Sequence, residues 1–386
     1  MTFGKMPLAN GFLEEKNFKS EFFYEMEVGF SEKISLLQLN DSPDPKKIFN
    51  KKYPFYSGSS EHMKIHFKKY AEWLKKEFLK PNSKLIEIGS NDGTLLKNFS
   101  NTNIEYLGFE PSESVANEAI KNNINTVNVF FNKKNIENFK NFKNKTDVIC
   151  AANVVCHVPD LNDLIATTET LLSSKGVFVF EEPYLGSMFS KVSYDQIYDE
   201  HIFMFSLTSI KKIFDLFDFD LIDAFPLQTH GGSIRYIIGR KNKHEINVRV
   251  QKGLALEKDQ KLDDLQSCLD FKKNCENSKK KVSDYLKKLK KEGKKICGYA
   301  ATSKSTTILN YCNLNTDTIN FICDTTKDKI GKFSPGVHIP IVPISYFHNN
   351  LPDVAYLFAW NHKDEIFSKE KEFLNNGGRW FSHVTL

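Results

Sequence analysis

What this sequence lacks narrows it first. Its 386 residues hold no C-x-x-C and no even cysteine spacing of the disulfide kind. The seven cysteines (Cys150, Cys156, Cys268, Cys275, Cys297, Cys312 and Cys323) fall largely in apolar, strand-like runs. Such cysteines behave as small hydrophobes, and the pattern predicts reduced thiols in a cytoplasm. No window approaches about 18 uninterrupted apolar residues, and no basic segment leads into an apolar one near the start. Neither a membrane span nor a secretory signal is therefore expected. An excess of one charge is missing too, with 53 Lys and Arg against 48 Asp and Glu for a formal +5. The one dense basic run, "KKKVSDYLKKLKKEGKK", is helix-periodic and not interleaved as a nucleic-acid face would be, so no nucleic-acid partner is expected.

What is present is a globular composition, 40% hydrophobic, long enough for two domains and a small appendage. "YEMEVGFSEKISLLQL" alternates like a β-hairpin, and "HMKIHFKKYAEWLKKEFL" has apolar residues three and four apart, as on a helix. "KLIEIGSNDGTLLKNF", "IEYLGFEPSESVANEAI", "DVICAANVVCHVPDLNDLI" and "GVFVFEEPYL" then alternate strand with turn and helix, the pattern of a parallel doubly wound sheet. "HGGSIRYIIGR" adds a later hairpin strand. A long charged helical stretch follows, and "KICGYAATSKSTTILNYC", "INFICDTT", "IPIVPI" and "VAYLFAW" open a second α/β layer. The expected fold is α/β: two Rossmann-like doubly wound domains behind a small N-terminal β-hairpin module. The boundaries read as 1–60, 61–245, a helical connector 246–292, and 293–386.

The turn in "LIEIGSNDGTLL" sets Glu87, Gly89 and Gly93 between a strand and a helix. Glycine lets backbone approach a ligand where a Cβ would collide. Such a turn takes either a phosphate or the amino-acid and ribose portion of S-adenosylmethionine. The acidic Asn91-Asp92 pair would repel a pyrophosphate. Glu110, ending the next strand in "YLGFEPS" about twenty residues on, suits both ribose hydroxyls. Both features favour the methyl donor.

In "SYDQIYDEHIFMFS", Asp195, Tyr198, Asp199, Glu200 and His201 stand among Ile197, Ile202, Phe203, Met204 and Phe205. Burying titratable groups there costs several kcal/mol unless each finds a partner, a cost met where chemistry needs shifted pKa values. By residue types alone, such a run is more often a satisfied buried network than a catalytic one.

The chain resembles bacterial sugar C-methyltransferases that act on nucleotide-linked 4-keto deoxysugars. The matching words are "PLANGFL" (7–13), "YPFYSGSSEHM" (53–63), "EIGSNDGTLL" (87–96), "GFEPS" (108–112), "NVVCHVPDLNDL" (153–164), "FEEPYLG" (180–186), "YDQIYDEH" (194–201) and "HGGSIR" (230–235). "GYAATSKSTTILNYC" (298–312), "GKFSPGVHIPI" (331–341) and "FAWNHKDEI" (358–366) continue it in the second domain. The resemblance implies an S-adenosylmethionine domain, with Glu87, Gly89, Asn91, Asp92, Gly93, Glu110, Pro111 and Asn153 at the cofactor. It implies catalytic roles for five residues. His201 is the base that takes the C3 proton, Glu200 a neighbouring carboxylate, and Tyr198 a donor toward the C4 oxygen; Tyr56 and His157 are further site positions. Asp195 and Asp199 are expected as partners of other groups or as solvated residues, not as catalysts. The C-terminal domain is expected to hold the nucleotide, thymidine- or otherwise linked, through Ser303, Lys304 and Asp324, with His230 supporting the loop beneath the site.

The family's leading module binds zinc through two C-x-x-C pairs. Here the chain begins past the first, and Ser31 and Ile34 stand at the second, so no metal is expected. The expected function is S-adenosylmethionine-dependent C3-methylation of such a sugar by a cytoplasmic enzyme, monomer or homodimer. Transfer to an oxygen or nitrogen of another small molecule is the alternative, and a non-catalytic nucleotide-sugar binding protein a third. The retained Tyr198, Glu200 and His201 speak against that third reading.

Overall fold

The computed structural model describes residues 1–51, 53 and 55–385 and holds three sheets among them. The largest has seven strands in the order Phe219–Leu227, Ser233–Arg240, Leu172–Pro183, Thr146–Ala152, Lys84–Ile88, Glu105–Phe109 and Thr126–Val127. The last five are parallel, and Ser233–Arg240 runs antiparallel to both its neighbours. Covered on both faces, the parallel strands are apolar nearly throughout, as burial on two sides demands. Ile86, Ile88, Ile149 and Ala151 enter the core on one face, while Leu85, Val148 and Cys150 enter that on the other. Helix Glu61–Glu77, capped by the Ser60 side chain on Met63 N–H, lays Phe67, Tyr70, Ala71 and Leu74 over the second face.

Five parallel strands form the C-terminal sheet, ordered Ile341–Pro343, Ile322–Asp324, Ile296–Tyr299, Val354–Leu357 and Arg379–Phe381. The leading residues form an antiparallel sheet, Thr2–Pro7, Phe23–Ser31 and Leu36–Leu39, closed by the two-residue strand Phe203–Met204. That last strand begins two residues after His201, and Leu39 N–H donates to the intervening Ile202 carbonyl at 2.8 Å. The hairpin thus fixes the backbone just beyond the titratable run.

Two expectations change. The leading module is no appendage: Phe3, Met6, Met26 and Val28 share one core with Ile308, Leu309 and Tyr311 of the C-terminal domain. The connector is divided by its packing. Helix Val248–Asp259 belongs to the central domain, where Val250 joins the core and Glu257 accepts the Leu207 and Thr208 backbone N–H groups at 2.7 and 2.8 Å. Helix Leu265–Lys291 instead lays Phe271, Cys275, Leu286 and Leu289 on the core shared with the C-terminal domain. At the hairpin tip Ser31 pairs with Leu36, Ile34 packs against the central core, and Ser35 accepts a hydrogen bond from Lys212 at 2.7 Å.

Candidate active site

A cavity of about 680 Å³ opens where the C-terminal ends of the central parallel strands face the C-terminal domain, the position at which open α/β sheets take ligands. Its central-domain wall is built by turns. Gly89 follows strand Lys84–Ile88 with φ +66°, and an added Cβ would run into the Val154 side chain. Asn91 donates its backbone N–H to Glu110 Oε2 at 3.0 Å, and Ser112 N–H donates to Oε1 at 2.7 Å. Burial raises the Glu110 carboxyl, and those backbone donors oppose the rise. Asn153, also left-handed at φ +55°, donates Nδ2–H to His230 Nε2 at 2.9 Å.

Of the titratable run, Tyr198, Glu200 and His201 line the cavity. His201 Nδ1 is 2.7 Å from the Gln196 carbonyl, an oxygen that only accepts, so Nδ1 carries the hydrogen. Nε2 therefore keeps its lone pair, and the Tyr198 hydroxyl donates to it at 2.7 Å. Burial first, then neighbouring His157, holds His201 well below the ordinary histidine range, so the imidazole is neutral at pH 7. His157 stacks on it, ring centres 5.2 Å apart, and burial pushes His157 down to about 4. Glu200 accepts from Asn10 Nδ2 at 2.6 Å and Tyr53 Oη at 3.2 Å. Asp199 accepts Ala9 N–H at 2.9 Å. Burial raises both adjacent carboxyls, and Glu200 raises Asp199 further. Asp195 is wholly buried between Trp360 Nε1 (2.6 Å) and His383 Nε2 (3.0 Å), a tie between the two domains.

From the opposite wall, Ser303 lines the cavity, and Lys304 reaches Asn361 Oδ1 at 3.4 Å over the Trp360 ring. Burial lowers the Lys304 ammonium, and Asp195 partly restores it. Asp324 accepts Ala301 N–H at 2.6 Å and Thr326 N–H at 2.7 Å. The loop beneath the site needs its glycines: His230 and Gly231 are left-handed, and a Cβ on Gly231 would strike Trp360.

The cavity thus brings together Tyr56, His157, Tyr198, Glu200, His201 and His230 with Gly89, Asn91, Glu110, Pro111 and Asn153, and with Ser303, Lys304 and Asp324. Three residues expected at the cofactor stand behind its wall. Asp92 turns away to accept Gly58 N–H (2.8 Å) and the Thr94 hydroxyl (2.6 Å), and Gly93 presses on Ile124. Glu87 is sealed on the inner face, its Oε2 without a partner among the described residues and its carboxyl raised well above the usual range by burial. Sequence reasoning missed Asn10 and Lys329. Asn10 lies inside a matching word and bonds Glu200. Lys329 sits in "TTKDKIGK", which carries no signal, yet its ammonium lines the cavity and donates to the Ala301 carbonyl at 2.8 Å.

A family model described as a methyltransferase domain matches residues 61–224, and one described as a C-methyltransferase C-terminal domain matches residues 228–384. The chain is a methyltransferase, similar to the C-methyltransferases. It is 27% identical to the C-methyltransferase NovU of Streptomyces niveus over 98% of this chain and 91% of that one. The PH0226 protein of Pyrococcus horikoshii is 13% identical over 52% of this chain and 100% of that one, with a TM-score of 0.39. The magnesium protoporphyrin IX methyltransferase of Synechocystis, solved with bound SAM, is 13% identical over 46% and 79%, with a TM-score of 0.36. Both structural likenesses are too slight to bear on function. This methyltransferase has no described helix long and apolar enough to cross a membrane. Its C-terminal family match starts ahead of the last central strand, Ser233–Arg240, so the matched unit takes in part of the central sheet.

Proposed function

We propose that this C-methyltransferase methylates C3 of a nucleotide-linked 4-keto-deoxysugar, with S-adenosylmethionine as donor. The observation that carries the reading is the Tyr198–His201 pair. A neutral imidazole whose Nε2 lone pair is covered by the Tyr198 hydroxyl lines a cavity walled on one side by the glycine turn and on the other by Lys304 and Lys329.

The residues present fit the donor. Glu110 has acceptor capacity left beyond its two backbone bonds for a ribose diol, and Asn91 and Pro111 line the same wall. Bound there, S-adenosylmethionine supplies a methyl group made electrophilic by its sulfonium. Lys304, Lys329 and the Ser303 hydroxyl suit a diphosphate, so the C-terminal domain, 293–386, is assigned the nucleotide end of the substrate.

A proton on C3 is acidified by the neighbouring ketone. Tyr198 turns its hydroxyl from His201 to the ketone oxygen, which uncovers Nε2 and stabilises the enolate oxygen as charge develops. Nε2 then takes the C3 proton. Burial keeps Nε2 free at neutral pH at the expense of base strength, and the Gln196 carbonyl fixes the tautomer that leaves it free. Asn10 and Tyr53 orient Glu200 for a substrate hydroxyl, while His157 and Tyr56 bound the sugar pocket.

His201→Ala should lower turnover by about 10²–10⁴-fold while S-adenosylhomocysteine binds as before; unchanged turnover removes it as the base. Incubation in D₂O without donor should exchange the C3 hydrogen in wild type and not in the variant. Methyl transfer with no C3 exchange would move the acceptor to an oxygen or nitrogen.

A further inference from the structure

The proposed base belongs to a set of metal-ligating donors whose Cys156 sulfur the proposed reaction does not use. Cys156 and His157 follow one another in the one-turn helix Val155–His157. The Cys156 sulfur, one ring nitrogen of His157 and one of His201 all lie within 4.8 Å of one another. His157 Nε2 is sealed and has no hydrogen-bond partner among the described residues. Of the His201 nitrogens, Nδ1 is committed to the Gln196 carbonyl, so Nε2 is the available one. Next to the sulfur is Glu182, whose Oε1 accepts the Val154 and Val155 N–H groups at 3.0 and 2.7 Å and whose Oε2 is sealed without a partner among the described residues.

A thiolate and two imidazoles are the donors zinc prefers, and three of them leave one position open. Zinc–nitrogen and zinc–sulfur bonds of about 2.0 and 2.3 Å put tetrahedral donors roughly 3.5 Å apart. The three atoms already lie within 4.8 Å of one another, and no hydrogen bond among the described residues holds His157 Nε2 against the side-chain shift that closing to that spacing takes.

We propose that Cys156, His157 and His201 form an inhibitory site for a thiophilic divalent cation such as Zn²⁺. On binding, the Cys156 S–H bond breaks and its proton passes to the Glu182 carboxylate. A metal–sulfur and two metal–nitrogen bonds replace three water ligands, and the Tyr198–His201 hydrogen bond is lost. The lone pair proposed to take the C3 proton is then occupied, so the cation stops methyl transfer while the cofactor wall, on other residues, is untouched. The inhibitory arm rests on His201 being the base; the binding arm does not.

The two arms are measured separately. Co²⁺ titrated into the full chain should give a thiolate-to-cobalt absorption band saturating at one equivalent, displaced by Zn²⁺. Cys156→Ala should lose the band and still bind S-adenosylhomocysteine; Cys156→Ser serves in its place if the alanine variant is unfolded. In the transfer assay Zn²⁺ should suppress wild-type turnover and a chelator should restore it. The Cys156 variant should need at least about tenfold more Zn²⁺ for equal suppression, since even indirect supports of a metal site are worth 10–100-fold in affinity. No thiolate band, a band that survives Cys156→Ala, or equal suppression of both proteins overturns the site. A band at Cys156 with wild-type transfer unaffected by Zn²⁺ overturns the inhibition. Absence of any C3 exchange with every keto-sugar tried would sink the proposed reaction and leave the cobalt result to stand or fall by itself.

Discussion

Two strand–turn–helix units face each other across the cavity, and their backbones are wired alike. In the central unit Glu110, at the end of the second strand, accepts one N–H from the first turn (Asn91) and one from its own (Ser112). In the C-terminal unit Asp324 does the same with Ala301 and Thr326. The turns themselves differ. The central one is lined with backbone, its left-handed positions taken by Gly89, Asn91 and Gly93. The C-terminal one holds an alanine, Ala300, at φ +71° and then presents Ser303 and Lys304 to the cavity. Bare backbone admits a bulky ligand to close contact, whereas a hydroxyl and an ammonium reach outward to charge. The shared wiring says how each turn is held; the lining says what each can hold.

The sharpest way to break that comparison is to remove the two carboxylates in turn. Glu110→Ala takes away an acceptor for the cofactor and for two backbone donors. At about 1.5–3 kcal/mol for a hydrogen bond to a charged group, S-adenosylhomocysteine should bind roughly 10–150-fold more weakly. Asp324→Ala should leave that affinity within about twofold and raise the KM for the nucleotide-linked substrate. Calorimetry with S-adenosylhomocysteine on both variants decides it. Equal losses would mean that the two units do not divide the ligands between them.

How much of this was legible in the residues follows the same divide. The central unit was readable because one short word, "EIGSNDG", carries strand, left-handed turn and acidic signature together. The strands of the C-terminal unit were readable as apolar runs, but Arg379–Phe381 was not, being three residues of mixed polarity. The run from Tyr198 to His201 stood out because charged groups among apolar ones must find partners. Which partners they find was hidden, since they arrive from far along the chain: Asn10 to Glu200, Ala9 to Asp199, and Trp360 and His383 to Asp195. Lys329 is invisible in sequence for the same reason, because only the folding of its loop makes its ammonium a cavity wall. Asp92 failed in the opposite sense. It sits in the right word, but the neighbouring Gly58 and Thr94 claim its carboxylate first.

Backbone strain offers a second, smaller contrast. Gly89→Ala must hold an L-residue in the left-handed region and drive a methyl into Val154, which should cost roughly 2–4 kcal/mol. Ala300 already bears such strain, so Ala300→Gly should stabilise by up to about 1 kcal/mol after the entropy lost by glycine is set against the relief. Denaturant unfolding of the two variants should therefore shift in opposite directions. If Ala300→Gly destabilises, its Cβ is contributing packing that outweighs the torsion, and the C-terminal turn is a filled structural corner and not a strained ligand loop.

The weakest expected effect concerns pH, and it arises on the central side of the cavity. Burial lowers His157 to about 4, His230 to about 3 and His201 well below 6.5, while it raises Glu182 from 4.5 to about 7. As pH falls below 6.5 the unfolded chain protonates these histidines and the folded chain does not, so stability is lost down to about pH 4 and beyond. For Glu182 the sign reverses: above 4.5 the unfolded chain releases a proton that the folded chain keeps, and stability is lost as pH rises to about 7. Three histidines against one carboxyl make the acid limb the steeper, and for this set alone stability rises through pH 6.5 and levels off above about pH 7. His157→Gln, which cannot titrate, should flatten the acid limb, a change of a few degrees in Tm at pH 5 given roughly 2–4 °C per kcal/mol for large domains. Because His157 stacks on His201, the same substitution should also let the His201 value rise, since one source of positive charge beside it is gone. A Tm profile that the variant leaves unchanged would mean that His157 opens to water before the chain unfolds, and that the wall around the proposed base is looser than its sealed nitrogen implies.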